Sequence, residues 1–176
     1  MLRRGYELSY DVDHYESIDN LDLSQEEYES SYQQLYTAQD TLSGEELFDT
    51  LTTSLNLNQY FNWLGLNTWI MNGDYTDEVY FYGKAIYSED GAAPYFNISV
   101  WDYDDLFLDP HNGNAIEGSL VYAGENVLDL TIAADSYLYQ KFLENFYDLL
   151  TDELTEEAIN QAVEMHSAKI EKFFSR

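Results

Sequence analysis

The chain has no cysteine among its 176 residues. That excludes a thiol nucleophile, a thiolate zinc site and a disulfide framework. Positive charge is scarce too: seven Lys and Arg stand against 34 Asp and Glu, a formal net charge of −27. Nucleic acid and anionic lipid are held by Lys and Arg that neutralise phosphates, so neither is an expected partner. No apolar run approaches the ~20 residues of a membrane-spanning helix. The opening Met-Leu-Arg-Arg-Gly-Tyr has two positive charges and no apolar stretch behind them. The expectation is a chain without a signal peptide, whose leader would be missing from this piece if the parent protein is secreted. No Gly-x-Ser-x-Gly, phosphate-cradling glycine loop or Gly-x-Gly-x-x-Gly occurs.

What is present points to one packed domain. The length suffices for a sizeable core, and the composition is 45% hydrophobic and 16% aromatic. Such a composition fits an ordinary core better than a nucleic-acid mimic. The acidic surface favours solubility and attracts divalent cations. A saline habitat accounts for the charge equally well, without any site.

The pattern is mostly helical, with a strand pair in the middle. Residues 6–12 alternate weakly as a strand. Ser24 with Glu27 forms a capping box that opens a helix to about Ala38, with Tyr28, Tyr32, Leu35 and Tyr36 as its apolar stripe. Ser43 with Glu46 repeats the signal ahead of Leu47, Phe48, Leu51 and Leu55. Asn56 or Asn58 caps a third helix, 58–71, which is apolar on nearly every side and is therefore expected to be buried. Gly73 is placed to end it. Residues 79–87 read as a strand, Ser88–Gly91 as a hairpin turn and Tyr95–Trp101 as the returning strand. The stretch 105–134 reads as loop-rich. Asp135 caps a helix to about Leu150 with Leu138, Phe142, Phe146 and Leu149 as its stripe. Thr155 caps the last helix, whose expected core stripe is Ile159, Ala162, Val163, His166, Ile170 and Phe173.

The chemistry-bearing residues sit at element ends. Asp102, Asp104 and Asp105 follow the second hairpin strand, and the period of two puts Asp102 and Asp104 on one side if extension continues. Mg²⁺ and Mn²⁺ take oxygen ligands of this kind, often shared with substrate phosphates. The competing reading is a solvated acidic turn in a strongly acidic chain. Asp74, in Asn72-Gly73-Asp74, offers a third carboxylate or an ordinary helix-terminal turn residue. Neither Asp11-Val12-Asp13 nor Asp102-Tyr103-Asp104 continues with the glycine and glutamate of an EF-hand. His14, His111 and His166 are in no metal spacing. His166 reads as a core histidine and His111 as a neighbour of the carboxylates. Trp63, Trp69, Trp101 and the tyrosines suit either a core or a sugar platform, with Trp63 and Trp69 on the buried helix.

Taken in order, these features carry a resemblance. An acidic helical lead precedes Leu55-Asn56-Leu57-Asn58-Gln59-Tyr60-Phe61-Asn62-Trp63-Leu64. Then come Asn72-Gly73-Asp74, the aromatic strand Val79-Tyr80-Phe81-Tyr82, Val100-Trp101-Asp102-Tyr103-Asp104 and two closing helices through Leu149-Leu150-Thr151-Asp152-Glu153-Leu154. Over roughly residues 20–175 this resembles the spore-coat protein H (CotH) kinase family of atypical, secreted or spore-coat protein kinases. The resemblance implies an α+β, mostly helical fold: a kinase-like C-lobe with a central β-hairpin and about five helices. It implies one domain, with residues 1–20 as the tail of a missing N-lobe and 21–176 as the C-lobe.

Asp74 matches the family's catalytic-loop aspartate, which orients or deprotonates the acceptor hydroxyl. Asp102 matches the metal-binding aspartate, with Asp104 as its helper. Two places depart from the pattern. Val100 stands where the family has Pro, and Asp77, Glu78 and Val79 occupy the place of an Asn before the aromatic strand. Glu78 or Asp77 can still supply a metal ligand there. No Lys or Arg occurs between Arg4 and Lys84, so the basic clamp a kinase places on the nucleotide phosphates is missing. The implied activity is metal-dependent phosphoryl transfer from ATP to a protein hydroxyl, incomplete and inactive in this chain alone. Mg²⁺ or Mn²⁺ would bind weakly, and ATP only with the N-lobe. Partners would be a protein substrate or a surface or coat protein, at the cell or spore surface. The alternatives are a non-catalytic surface or coat interaction module and a carbohydrate-binding module.

Overall fold

A computed structural model describes residues 2–4, 10–11, 24–76, 78–88, 91–100, 103, 105–107, 116, 118–122 and 126–174. The chain runs β1 (Leu2–Arg4), β2 (Tyr10–Asp11), α1 (Gln25–Thr37), α2 (Gly44–Ser54), α3 (Leu57–Ile70), β3 (Val79–Ser88), β4 (Gly91–Val100), α4 (Val127–Ala134), α5 (Ser136–Asp148) and α6 (Glu156–Phe174). The fold is therefore α+β, mostly helical, around a central hairpin.

The capping box at α1 forms as its sequence dictates. The Ser24 amide donates to Glu27 Oε2 (2.7 Å), and the Glu27 amide donates back to Ser24 Oγ (3.3 Å). Its stripe of Tyr28, Tyr32, Leu35 and Tyr36 is buried. Tyr32 meets Phe81 edge-on at 5.1 Å, and Tyr28 meets Phe96 at 5.0 Å. Such edge-to-face pairs add directional attraction to simple burial. They fix α1 against the inner face of the hairpin.

At α2 the expected capping box does not form, and Ser43 makes no side-chain cap. Asp135 takes over: its Oδ2 accepts from the Gly44 amide at 2.7 Å, while Oδ1 accepts from Tyr137 and Leu138 at 3.0 and 3.1 Å. One carboxylate thus caps α2 and α5 together. Burial pushes the Asp135 carboxyl up, but the three amide hydrogen bonds win and hold it below the usual carboxylate range.

Strands β3 and β4 pair antiparallel from Val79↔Val100 to Ser88↔Gly91. The strand order is β2-β1-β3-β4, so β1 joins the hairpin's sheet, with Leu2 opposite Phe81. The returning strand begins four residues before the expected Tyr95. Ala92, Ala93 and Pro94 have little strand preference, but β4 lies at the sheet edge, where Pro is tolerated.

Two further differences concern helices. The helix α4 lies inside the stretch read as loop-rich. Its sequence, Val127-Leu128-Asp129-Leu130-Thr131-Ile132-Ala133-Ala134, is too short and too evenly apolar to show a helical period, although Asn126 caps it. The last helix, α6, buries none of its residues, so the expected core stripe and His166 are exposed. A π-helical turn, Leu149–Glu153, separates it from α5. Beyond that turn no residue of α6 is buried against the body.

Candidate active site

The helix α3 organises the region. Asn56 caps it through the Gln59 amide. Its first turn is bound to β4, with the Asn56 amide donating to the Phe96 carbonyl (2.8 Å). The Gln59 side chain accepts from the Ile98 amide (3.0 Å) and donates to the Ile98 carbonyl (3.2 Å). Tyr60, Phe61, Trp63 and Leu64 are buried, and the Tyr60 hydroxyl donates to Oδ1 of the fully buried Asp129 at 2.6 Å. Trp69, expected with Trp63 on a buried face, is 45% exposed, because the helix leaves the core in its last turn.

That last turn ends on Met71, not Gly73. Met71 takes the left-handed conformation (φ 50°, ψ 53°). Gly73 is used differently, its amide donating to the Asp105 carbonyl at 2.9 Å. The Phe107 amide likewise donates to the Ile70 carbonyl at 3.0 Å. The end of α3 is therefore laced to the segment that follows Trp101-Asp102-Tyr103-Asp104.

Buried amides hold the turn that carries Asp74. Asn67 donates through Nδ2 to the Trp63 carbonyl (3.0 Å), and Asn72 donates through Nδ2 to Asn67 Oδ1 (3.1 Å). The Asp74 amide in turn donates to Asn72 Oδ1 (3.3 Å). Both asparagines are fully buried. A buried amide must find partners or lose its hydration without return. Here each amide's oxygen accepts from the next link toward Asp74. Asp74 itself is half-buried, with Oδ1 out of contact with solvent.

Glu78 lies just before β3 and is 7% exposed, its Oε2 buried. Tyr75 and Thr76, between it and Asp74, are buried, and Tyr75 packs edge-on to Trp63 at 5.2 Å. From the other side, Tyr103 brings its hydroxyl into the same interior. Burial pushes that phenol well above its usual range; Asn67 and Trp63 beside it oppose the rise, and the negative Glu78 adds to it. An apolar groove of about 420 Å³, lined by Trp63, Leu66, Val100, Tyr103, Leu149 and Leu154 among others, flanks this wall.

Asp102, Asp104, Asp77 and His111 lie outside the described residues. Their neighbours do not. Val100 pairs with Val79, one residue after Glu78, and the Asp105 carbonyl holds Gly73, one residue before Asp74. The described residues on both sides of 101–104 are thus bonded to the two ends of the segment 73–79. Among the described residues, no three His, Asp or Glu side chains come together as a metal site. No helix of the described residues is long and apolar enough to cross a membrane.

Sequence reasoning missed Asn67, Asn72, Asp129 and Tyr103. The signal for three of them was a polar residue inside an apolar helical run or just past its end. Such a residue either faces solvent or is buried with partners, and the pattern alone does not say which.

Comparison with known proteins places the chain in a family. The family model described as CotH kinase protein matches residues 3–176. No curated protein and no solved structure matches the chain. With the family match spanning nearly all of its length, the chain belongs to the CotH kinase family.

Proposed function

We propose that this chain carries the carboxylate machinery of a CotH-type phosphotransferase, which moves a phosphoryl group from ATP to a protein hydroxyl at a cell or spore surface. The observation that supports this most is the lacing of 73–79 to both flanks of 101–104. Asp74 orients the acceptor hydroxyl and takes its proton. Asp102, with Asp104 and Glu78, forms the metal-binding set. Those donors are hard carboxylate oxygens, and the buried Oε2 of Glu78 belongs to the same set, so they fit Mg²⁺ or Mn²⁺ rather than a soft metal. The bound metal would neutralise charge on the phosphates. The buried amides Asn67 and Asn72 fix the position of Asp74, and Tyr75 and Thr76 keep water from its inner side.

One observation favours a second reading, a non-catalytic interaction module on the same scaffold. No Lys or Arg lies between Arg4 and Lys84. Net charge of −27 also repels a polyphosphate. Under the first reading, the basic clamp comes from outside the segment between Arg4 and Lys84. The isolated chain then binds Mn²⁺ weakly and ATP hardly at all.

The test is phosphotransfer by the intact protein. Asp102→Ala and Asp74→Ala should each cost on the order of 10²–10⁴-fold in rate, the range for a positioned electrostatic or acid–base group. Asp90→Ala, outside both carboxylate-bearing segments in the sequence, should leave the rate within a small factor. Unchanged rates in both active-site variants would refute the assignment. No transfer to any acceptor, including the protein itself, would favour the interaction module.

A further inference from the structure

The helix α6 carries a row of exposed apolar residues. Its exposed apolar residues Ile159, Val163, Ile170 and Phe173 are 36%, 59%, 57% and 75% accessible. With His166 between them they fall at intervals of 4, 3, 4 and 3. That spacing is the seam of a coiled coil, not the broader stripe of a helix lying on a globular core. The β-branched Val163 and Ile170 occupy alternate seam positions.

Charge identifies the occupant. The last 21 residues hold Glu156, Glu157, Glu164 and Glu171 against Lys169, Lys172 and Arg176, and are close to neutral. The rest of the chain holds all the other acidic residues and only Arg3, Arg4, Lys84 and Lys141. Two copies of this molecule therefore repel each other through their acidic bodies, and α6 adds little to that repulsion. Within α6 the charge is also polarised, with Glu156 and Glu157 in the first turn and Lys169 and Lys172 near the end.

We propose that α6 pairs antiparallel with α6 of a second copy to form a two-fold dimer. The antiparallel register sets Ile159 against the second copy's Ile170, and Val163 against its His166. It sets the acidic first turn of each helix beside the more basic end of the other and opposes the two helix dipoles. It also holds the acidic bodies at opposite ends of a helix about 28 Å long, well beyond the screening length of about 10 Å at 0.1 M salt. A parallel pair would press those bodies together. His166 is the weak layer of the seam and keeps the association reversible.

Sedimentation equilibrium of the chain, from micromolar to submillimolar concentration, should show a monomer–dimer equilibrium. Ile170→Asp should weaken it by at least about tenfold, and His166→Leu should tighten it several-fold. Both positions are exposed in the monomer, so the circular dichroism melt of the body should not move. Orientation follows from cysteine exchange in this cysteine-free chain. A mixture of Ile159→Cys and Ile170→Cys chains should form the mixed disulfide dimer, while Phe173→Cys alone should not cross-link. A monomer at every concentration would overturn the proposal, as would a dimer indifferent to Ile170→Asp. Efficient cross-linking of Phe173→Cys to itself would overturn the antiparallel arrangement.

Discussion

Helices α5 and α6 follow one another, and both have a clear apolar stripe, yet they meet opposite fates. Leu138, Phe142 and Phe146 of α5 are buried, and Phe142 lies 5.9 Å from Phe61 of α3. Val163, Ile170 and Phe173 of α6 stay in water. The difference teaches that a stripe records a need for a partner but not the partner's address. What distinguishes the two is what stands opposite. Facing α5 is Gly65 of α3, where an added Cβ would lie 2.6 Å from Phe146 Cδ2. That groove lets the two helices approach closely. Nothing among the described residues does the same for α6.

The contrast can be broken by mutation. Phe142→Ala should cost about 3–5 kcal/mol of stability, the usual loss on emptying a fully buried aromatic site. Gly65→Ala should cost about 1–3 kcal/mol, because Phe146 must shift out of a close-packed position. Asp135→Ala should cost about 1 kcal/mol at neutral pH through lost capping of α2 and α5. Its effect has a defined pH dependence. The Asp135 carboxyl is held below its usual range in the fold, so its contribution is complete above the unfolded carboxylate range and disappears as pH falls through the folded one. The gap between the native and Asp135→Ala melting curves should narrow on acidification. Phe173→Ala should leave monomer stability within about 0.5 kcal/mol. Chemical denaturation at dilute concentration measures all four, and a Phe173→Ala cost comparable to that of Phe142→Ala would show that α6 is packed after all.

Most of the fold was legible where local signals and tertiary packing agree. The Ser24–Glu27 box, the Asn56 and Asp135 caps and the stripes of α1 and α5 are present as read, and the hairpin is present with a longer second strand. The failures came where a tertiary group displaced a local one. Asp135 took the α2 amide that Ser43 was expected to receive. Met71 took the left-handed position expected for Gly73, whose amide is committed to Asp105. The sequence of α4 hides its period because Asp129, the residue that interrupts the apolar run, faces inward to Tyr60. At the candidate site, the sequence named Asp74, Asp102, Asp104 and Glu78 from spacing and resemblance. It could not name Asn67 and Asn72, whose role depends on a chain of buried hydrogen bonds.

The central claim is that the Asp74 turn and the Trp-Asp-x-Asp segment form one metal-binding site. Paramagnetic broadening of amide signals by substoichiometric Mn²⁺ tests it most directly. The account predicts that Asp74 and Glu78 broaden together with Tyr103 and Asp105, and that Asp102→Ala relieves both groups at once. Broadening confined to one of the two segments, or spread evenly over the acidic surface of α1, would contradict it.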